Sequence, residues 1–363
     1  MLLDFQQFFM LLDFQQFLLT NVLGQDYTMD VNVNISNMDG TMTNLKEIAA
    51  RAGVSMITVS RVINTPERVA PETRNKIISI MKELGYVPNT AAKNLVSKRS
   101  GIVCVYVSHD MSMLDPFMGS FLVGVSAGLA TRNYSLSLIN DVDLNRFCDG
   151  YIFSGHNYSD RALELCKQSG KPIALFGHID DPDIDCIDTD NINSARKVVQ
   201  YLIKHGHQRI AIILNTVNGD YGKDRFKGYQ LALEEAGIHI DDSLVHTVNN
   251  SIEGGREAAR WYMQAKSGAT AVFCITDIIA VGFIFEAQAA GLDVPKDVSV
   301  AGFDGLGHHL LSNPKATTIV QPVFDISKML AQSLLEKILD NRQKRICRVL
   351  DGQLLEEASV AKR

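Results

Sequence analysis

From residue 101 onward the chain alternates between short apolar runs and longer amphipathic stretches. The runs are IVCVYV (102–107), YSLSLI (134–139), GYIFSG (150–155), PIALFG (172–177), RIAIIL (209–214), AVFCIT (271–276) and VSVAGF (298–303). Between them lie segments such as SARKVVQYLIKHG (194–206) and DRFKGYQLALEEAG (224–237), whose apolar residues recur at helical spacing. Nearly continuous apolar strands joined by helical crossovers predict parallel sheets covered on both faces. The units are more numerous than one ordinary sheet needs. The pattern therefore predicts an α/β body of two doubly wound lobes facing each other across a cleft, where ligands bind at the carboxyl ends of strands.

Upstream the periodicity is purely helical. In TNLKEIAARAGVSMITVSRVIN (43–64), Asn44 can cap a helix with Glu47 closing a capping box, and Leu45, Ile48, Ala49 and Ala52 share one face. Gly53 ends that helix and Ser55 can cap the next. There Ile57, Val59 and Val62 are apolar while Thr58, Ser60 and Arg61 offer short polar or charged groups, as a helix lying in a DNA groove requires. PETRNKIISIMKEL (71–84) predicts a third helix from Pro71 to Gly85, with Ile77, Ile78, Ile80, Met81 and Leu84 at core spacing. Pro88 forces an extended connector at 86–89, and a short helix-capable stretch, 90–97, sets Leu95 among Lys93, Lys98 and Arg99. A hinge that presses an apolar wedge into a minor groove has that composition.

Charge separates these regions. The whole chain carries −6, yet residues 43–100 carry +6, residues 1–42 carry −5 and the remainder −7. A basic module on an acidic body concentrates phosphate attraction at one end and makes binding steeply salt-dependent. No segment approaches the ~20 apolar residues of a membrane span, so no membrane partner is expected. The six cysteines (104, 148, 166, 186, 274 and 347) show no CxxC spacing and read as reduced core residues of a cytoplasmic protein, with no metal expected. Residues 1–41 differ from all that follows: LLDFQQF occurs at 2–8 and again at 11–17, then a polar stretch follows without a basic leader. They read as a disordered extension, with natural translation starting near Met42.

The motifs AGVSxxTVSRVIN (52–64), VxxxTRxKI (69–77), GYxPN (85–89) and a leucine before a basic hinge stand in the order found in the lactose-repressor/galactose-repressor (LacI/GalR) family of bacterial transcription regulators, whose DNA-binding headpiece this region resembles closely. The resemblance continues more loosely through Asp115-Pro116-Phe117, CDGYIFSG (148–155), DTDN (188–191), GHQRIAII (206–213), TDIIAVG (276–282), GLDVPKDVSVAGFD (291–304) and TTIVQP (317–322), which match the family's inducer-binding core. It implies a helix-turn-helix domain at 42–89, a hinge helix at 90–100 and a two-lobed, periplasmic-binding-protein-like core at 101–363. The amino lobe would comprise about 101–188 and 322–340, and the carboxyl lobe about 189–321. It also implies a homodimer on palindromic operator DNA, controlled by a small ligand, a carbohydrate by preference, with no cofactor.

By that resemblance Met56, Ile57 and Arg61 read bases. Arg61 can make a bidentate contact to guanine, whereas Met56 and Ile57 offer only apolar contact, for instance to a thymine methyl. Asn44, Ser55, Thr58, Ser60, Asn64, Asn89 and Lys98 complete the DNA-binding set, and Leu95 is the intercalating wedge. In the core, Arg225 would hold ligand oxygens, Asp304 would accept from ligand hydroxyls, and Thr276 with Asp277 would line the same mouth, faced by Phe117, Ser154 and His178.

Three departures from the family pattern stand out. Ala70 replaces the usual capping serine, at a cost of roughly 1 kcal/mol. Asn250 stands where an aromatic would stack on a sugar ring, so stacking falls to Phe117 or Phe303. Only about ten residues separate the strands at 134–139 and 150–155, where a helical crossover is normal; a thinned amino lobe with exposed apolar surface is expected. An enzyme is disfavoured, because no GxGxxG opens a βαβ unit and no GxxxxGK[ST] phosphate cradle occurs.

Overall fold

The computed structural model describes residues 45–64, 66–86, 99–108, 115–143, 147–155, 160–216 and 220–363. Contacts divide the chain into two units, 1–89 and 90–363. Asn44, Asn89, Leu95 and Lys98, and the side chain of Asn64, lie outside the described residues.

The first unit has three helices: α1 (Leu45–Ala52), α2 (Met56–Asn64) and α3 (Pro71–Glu83). At the turn after α1, Gly53 adopts φ +70°, which lets the Val54 N–H return to the Ala49 carbonyl at 3.0 Å. Ser55 caps α2 as anticipated: its Oγ accepts from the Thr58 N–H at 3.2 Å. Ala70 supplies no side-chain cap to α3, in keeping with the missing serine. Ile48, Ala49, Ala52, Val59, Val62 and Ile77 form one small buried cluster. Ile78, placed at core spacing in the sequence, instead faces outward.

The second unit is built on two parallel sheets. In the amino lobe, β1 (Ile102–Tyr106), β2 (Ser135–Ile139), β3 (Gly150–Phe153), β4 (Ile173–Phe176), β5 (Asp185–Thr189) and β11 (Cys347–Leu350) form a sheet of order β11-β5-β4-β3-β1-β2. Its two buried clusters lie on opposite faces. One is covered by α4 (Pro116–Ala130) with α10 (Val323–Asp340), the other by α5 (Asp160–Gln168). Close approach of α4 to α10 depends on glycine: a Cβ at Gly124 would sit 2.5 Å from the Phe324 carbonyl oxygen, and one at Gly128 2.6 Å from that of Lys328. These glycines belong to a GVSAG run whose GxSxG spacing suggests a nucleophile elbow, but the run lies mid-helix rather than at a strand-to-helix turn.

The carboxyl lobe holds β6 (Ile210–Asn215), β7 (Val245–Val248), β8 (Ala271–Cys274) and β9 (Ser299–Ala301) in the order β7-β6-β8-β9. The helices α6 (Asn191–Lys204) and α7 (Asp220–Glu235) cover one face, and α8 (Ile252–Ala265) with α9 (Asp277–Ala289) the other. After α10 the chain adds β11 to the amino-lobe sheet. It then crosses back, so that β12 (Gln353–Leu355) pairs antiparallel with β10 (Thr318–Val320). The tail continues along the carboxyl lobe, with the Val300 N–H donating to Ser359 O at 2.9 Å and the Arg363 N–H to His205 O at 2.8 Å. Residues 341–363 thus serve both lobes, a third crossing that the periodicity did not reveal.

The short connection behaves as its length implies. Among the described residues of 140–149 there is no helix; β2 stays at the sheet edge, and Leu138 is 44% exposed and Phe147 70% exposed. Asp149 in this connection fastens the start of β1, its carboxylate accepting from the Ser100 and Gly101 N–H groups at 2.8 and 2.9 Å.

Candidate functional site

The helix-turn-helix turns one face of α2 inward through Val59 and Val62, which leaves the opposite face to solvent. On that face Met56 is 53% and Ile57 65% exposed, and Ser60 and Arg61 follow each of them by four residues, one helical turn on. Large exposed apolar side chains on a reading helix are costly in water and suit contact with base methyl groups. At the amino end of α2 the Ser55 and Thr58 hydroxyls lie 2.9 Å apart on the surface. The helix dipole favours an anion such as a backbone phosphate there.

In the second unit the strand ends converge on Arg225. It projects from α7 and is 4% exposed, with its guanidinium stacked 3.6 Å from the Phe303 ring centroid and 4.9 Å from that of Tyr221. Its Nε donates to Asn191 Oδ1 at 3.0 Å, and its Nη1 donates to Ile275 O at 2.5 Å and to Asp304 Oδ1 at 3.2 Å. Nη2 makes no hydrogen bond among the described residues, so one edge of the planar fork is uncommitted there. Asp304 is 23% exposed and also accepts from Gln321 Nε2 at 2.8 Å, while the Thr189 hydroxyl donates to Gln321 Oε1 at 2.9 Å. Its backbone is held at φ +134°, a conformation that L-residues adopt only under constraint. Burial pushes the Asp304 carboxyl upward, the Arg225 charge opposes this, and Asp115 adds to the push. Asp115 caps α4 through the Phe117 N–H at 2.9 Å.

Other sequence-predicted residues divide. Phe117 is half-buried against Phe121 and edge-on to Phe176 at 5.1 Å, at the amino end of α4. Ser154 is buried just after β3. The Thr276 hydroxyl donates to Asn250 Oδ1 at 2.7 Å, so the residue at the missing aromatic position is a polar partner instead. Asp277 does not line a mouth. It is fully buried, accepts from the Thr318 hydroxyl at 2.6 Å and the Gly305 N–H at 2.8 Å, and packs where a Cβ at Gly302 would collide with its Oδ1. Its work is to hold the 302–305 turn that carries Asp304, and burial, with the Asp304 charge adding, pushes its carboxyl up to about 7. Phe303 is likewise unavailable for stacking on a ligand, because Arg225 already covers its ring. His178 is exposed, with one ring nitrogen within 4.8 Å of the thiols of Cys186 and Cys347. Asn191, Gln321 and Tyr221 were missed as site residues: two stand inside quoted motifs, yet no spacing rule links them to residue 225.

Asp188, at the carboxyl end of β5, is 6% exposed, and burial pushes its carboxyl up to about 6. The folded form therefore holds this proton more tightly than the unfolded chain does. The stabilisation is complete below about pH 4 and is lost as pH rises to about 6. Asp188→Asn keeps the shape without titrating. Wild type is expected to lose up to about 3 kcal/mol relative to this variant across that window, read from urea unfolding at pH 4 and pH 7. A difference that stays constant with pH refutes the assignment.

A basic three-helix unit that presents a reading helix, followed by a two-lobed binding core, defines a ligand-controlled DNA-binding regulator. Comparison with known proteins agrees. The model described as bacterial regulatory proteins, lacI family, matches residues 44–89, and that described as a periplasmic binding protein-like domain matches 199–360. The HTH-type transcriptional regulator YvdE of Bacillus subtilis (strain 168) is 32% identical over 82% of this chain and 93% of its own length. A solved complex of the transcriptional regulator CelR with cellobiose shares 29% identity and a TM-score of 0.67, covering 87% of this chain and 99% of that one. A LacI-family regulator from Enterococcus faecium with bound ribose shares 25% identity and a TM-score of 0.65 over 72% of this chain and 99% of that one. The chain belongs to the LacI family of bacterial transcriptional regulators and is not an enzyme. Among the described residues no helix is long and apolar enough to cross a membrane.

Proposed function

We propose that this regulator binds a palindromic operator as a homodimer in the cytoplasm and that a carbohydrate, seated against Arg225, controls its affinity. The observation that carries the ligand class is the Arg225 fork, held flat by Phe303 and Asn191 with Asp304 beside it. Planar donors next to a carboxylate match adjacent sugar hydroxyls, which accept from one and donate to the other. Asn191, Gln321, Thr276 and Asn250 add neutral polar groups, and the CelR and Enterococcus faecium relatives were solved with cellobiose and ribose. Self-association has support in exposed Val123 on α4 and in Leu310 and Leu311, large apolar side chains that a second copy can cover.

Binding would couple to DNA by changing how the lobes close, a differential affinity typically worth 1–3 kcal/mol. A thermal-shift screen of sugars and nucleosides identifies the ligand, since a tight ligand raises stability by mass action. Electrophoretic shift of promoter fragments tests the DNA side. Arg61→Ala should weaken specific binding by about 1–3 kcal/mol and relax preference at one base pair, and Leu95→Ala should abolish tight operator binding while ligand uptake persists. Unchanged operator affinity in both variants would defeat the reading-helix and hinge assignments. If nucleosides rather than sugars raise the melting temperature, the carbohydrate assignment falls.

A further inference from the structure

Cys186 and Cys347 stand 161 residues apart in the sequence, where each reads as a reduced core residue. The parallel register of β5 and β11 sets them directly opposite each other, with their sulfur atoms 2.8 Å apart. Cys186 is buried, whereas Cys347 is exposed at the start of the edge strand. A third donor comes from the turn after β4. Gly177, at φ +130°, donates its N–H to Ile187 O at 3.0 Å, and the next residue, His178, brings its imidazole to the same spot. One ligand atom from each of His178, Cys186 and Cys347 lies within 4.8 Å of the other two.

We propose that His178, Cys186 and Cys347 form a site for a borderline-soft d10 cation, zinc(II) in the first instance. Two thiolates and an imidazole are the donors such an ion takes in tetrahedral geometry. Ligand bonds of that kind place two sulfurs about 3.8 Å apart, so the thiols must separate by about 1 Å. Rotation of the exposed Cys347 side chain supplies that movement without disturbing buried Cys186. On binding, the two thiol protons leave to solvent and the dithiolate cancels the charge of the ion. Arg345 is placed to support the set, with its guanidinium donating to Cys186 Sγ at 3.3 Å and to Ile184 O at 3.0 Å. The fourth position opens to solvent on the side of His178 and Cys347, where the Asp180 carboxylate lies 3.6 Å from His178 Nε2. A bound ion would clamp β11 to β5 and to the turn after β4.

The test uses the full chain, reduced with a phosphine and freed of metal by chelation, with cobalt(II) and then zinc(II) as probes. One equivalent of cobalt per chain should give tetrahedral thiolate absorption that zinc abolishes. Cys347→Ser should remove the absorption, although its five remaining cysteines, all buried, are untouched. Zinc should also slow alkylation of the wild-type Cys347 at least tenfold, a readout independent of how well the variant folds. Absence of thiolate absorption in wild type, an undiminished signal in Cys347→Ser, or alkylation unaffected by zinc would each overturn the site. A wild-type mass two hydrogens lower after peroxide treatment, with no cobalt uptake by the reduced chain, would replace it with a disulfide.

Discussion

Replacing Arg225 by alanine is expected to remove the ligand response while leaving operator binding in place. The side chain contributes three hydrogen bonds and a stacked cation, and its loss strands the Asp304 carboxylate, Asn191 Oδ1 and the Ile275 carbonyl in a poorly solvated cleft. Breaking a buried pair by removing one partner costs about 3–5 kcal/mol, so the core should melt earlier as well. Ligand affinity should fall by at least a hundredfold, because the planar fork and its anchors vanish together. Arg225→Lys keeps the charge but neither the fork nor the flat face presented to Phe303, and it should recover little of the loss. Calorimetric titration with the sugar that stabilises wild type, run where both variants are folded, decides the matter. Normal uptake by Arg225→Ala would contradict the site. The headpiece should still shift DNA, since its helices enclose a cluster of their own.

The second large effect is expected at the end of β5 opposite the cleft, beside Cys186. Asp185 begins β5 with no exposed surface, and its carboxylate accepts from Lys337 Nζ at 2.9 Å, from the Ile346 N–H at 2.9 Å, and from Arg342 and Ser333. This cluster fastens α10 and β11 to the amino-lobe sheet. Asp185→Asn leaves two cations facing a neutral group and should cost about 3–5 kcal/mol, seen as a fall of roughly 10 °C in the melting temperature. Burial pushes the Asp185 carboxyl up, but Arg342, the Ile346 N–H, Ser333 and Lys337 outweigh it and hold the group below its ordinary value. The folded state thus favours the ionised form. The stabilisation is present above about pH 4 and is lost as pH falls through the lowered value, so wild type and variant should converge in acid. Equal melting temperatures at pH 7 would show that the cluster is idle.

Much of the fold was legible because its signals are local. Val59 and Val62 face inward and Met56 and Ile57 outward as a helix of period 3.6 requires, and Ser55 caps from three residues away. Strands β1, β2, β3, β4, β8 and β9 fall within the apolar runs, and β6 overruns its run by one residue, Asn215. By contrast β5, read as DCIDT, is buried at every position yet carries two aspartates, and β11, CRVL, is largely exposed; neither resembles a core strand. Asp277 was misplaced for a related reason. A motif gives the position of a residue but not which way its carboxylate turns, and here it turns into the fold to hold the 302–305 turn.

Residue order alone thus set the helix-turn-helix, the βα alternation, the basic front and acidic body, and the family, since each depends on interactions spanning a few neighbours or on net charge. Tertiary structure alone decided that Arg225 meets Asn191 and Asp304, that Asp185 meets Lys337 and Arg342, and that Cys186 meets Cys347. Those meetings depend on strand register and on a carboxyl-terminal chain that returns to both lobes. Backbone pairing over such separations follows from the packing of the whole core, which no local periodicity encodes.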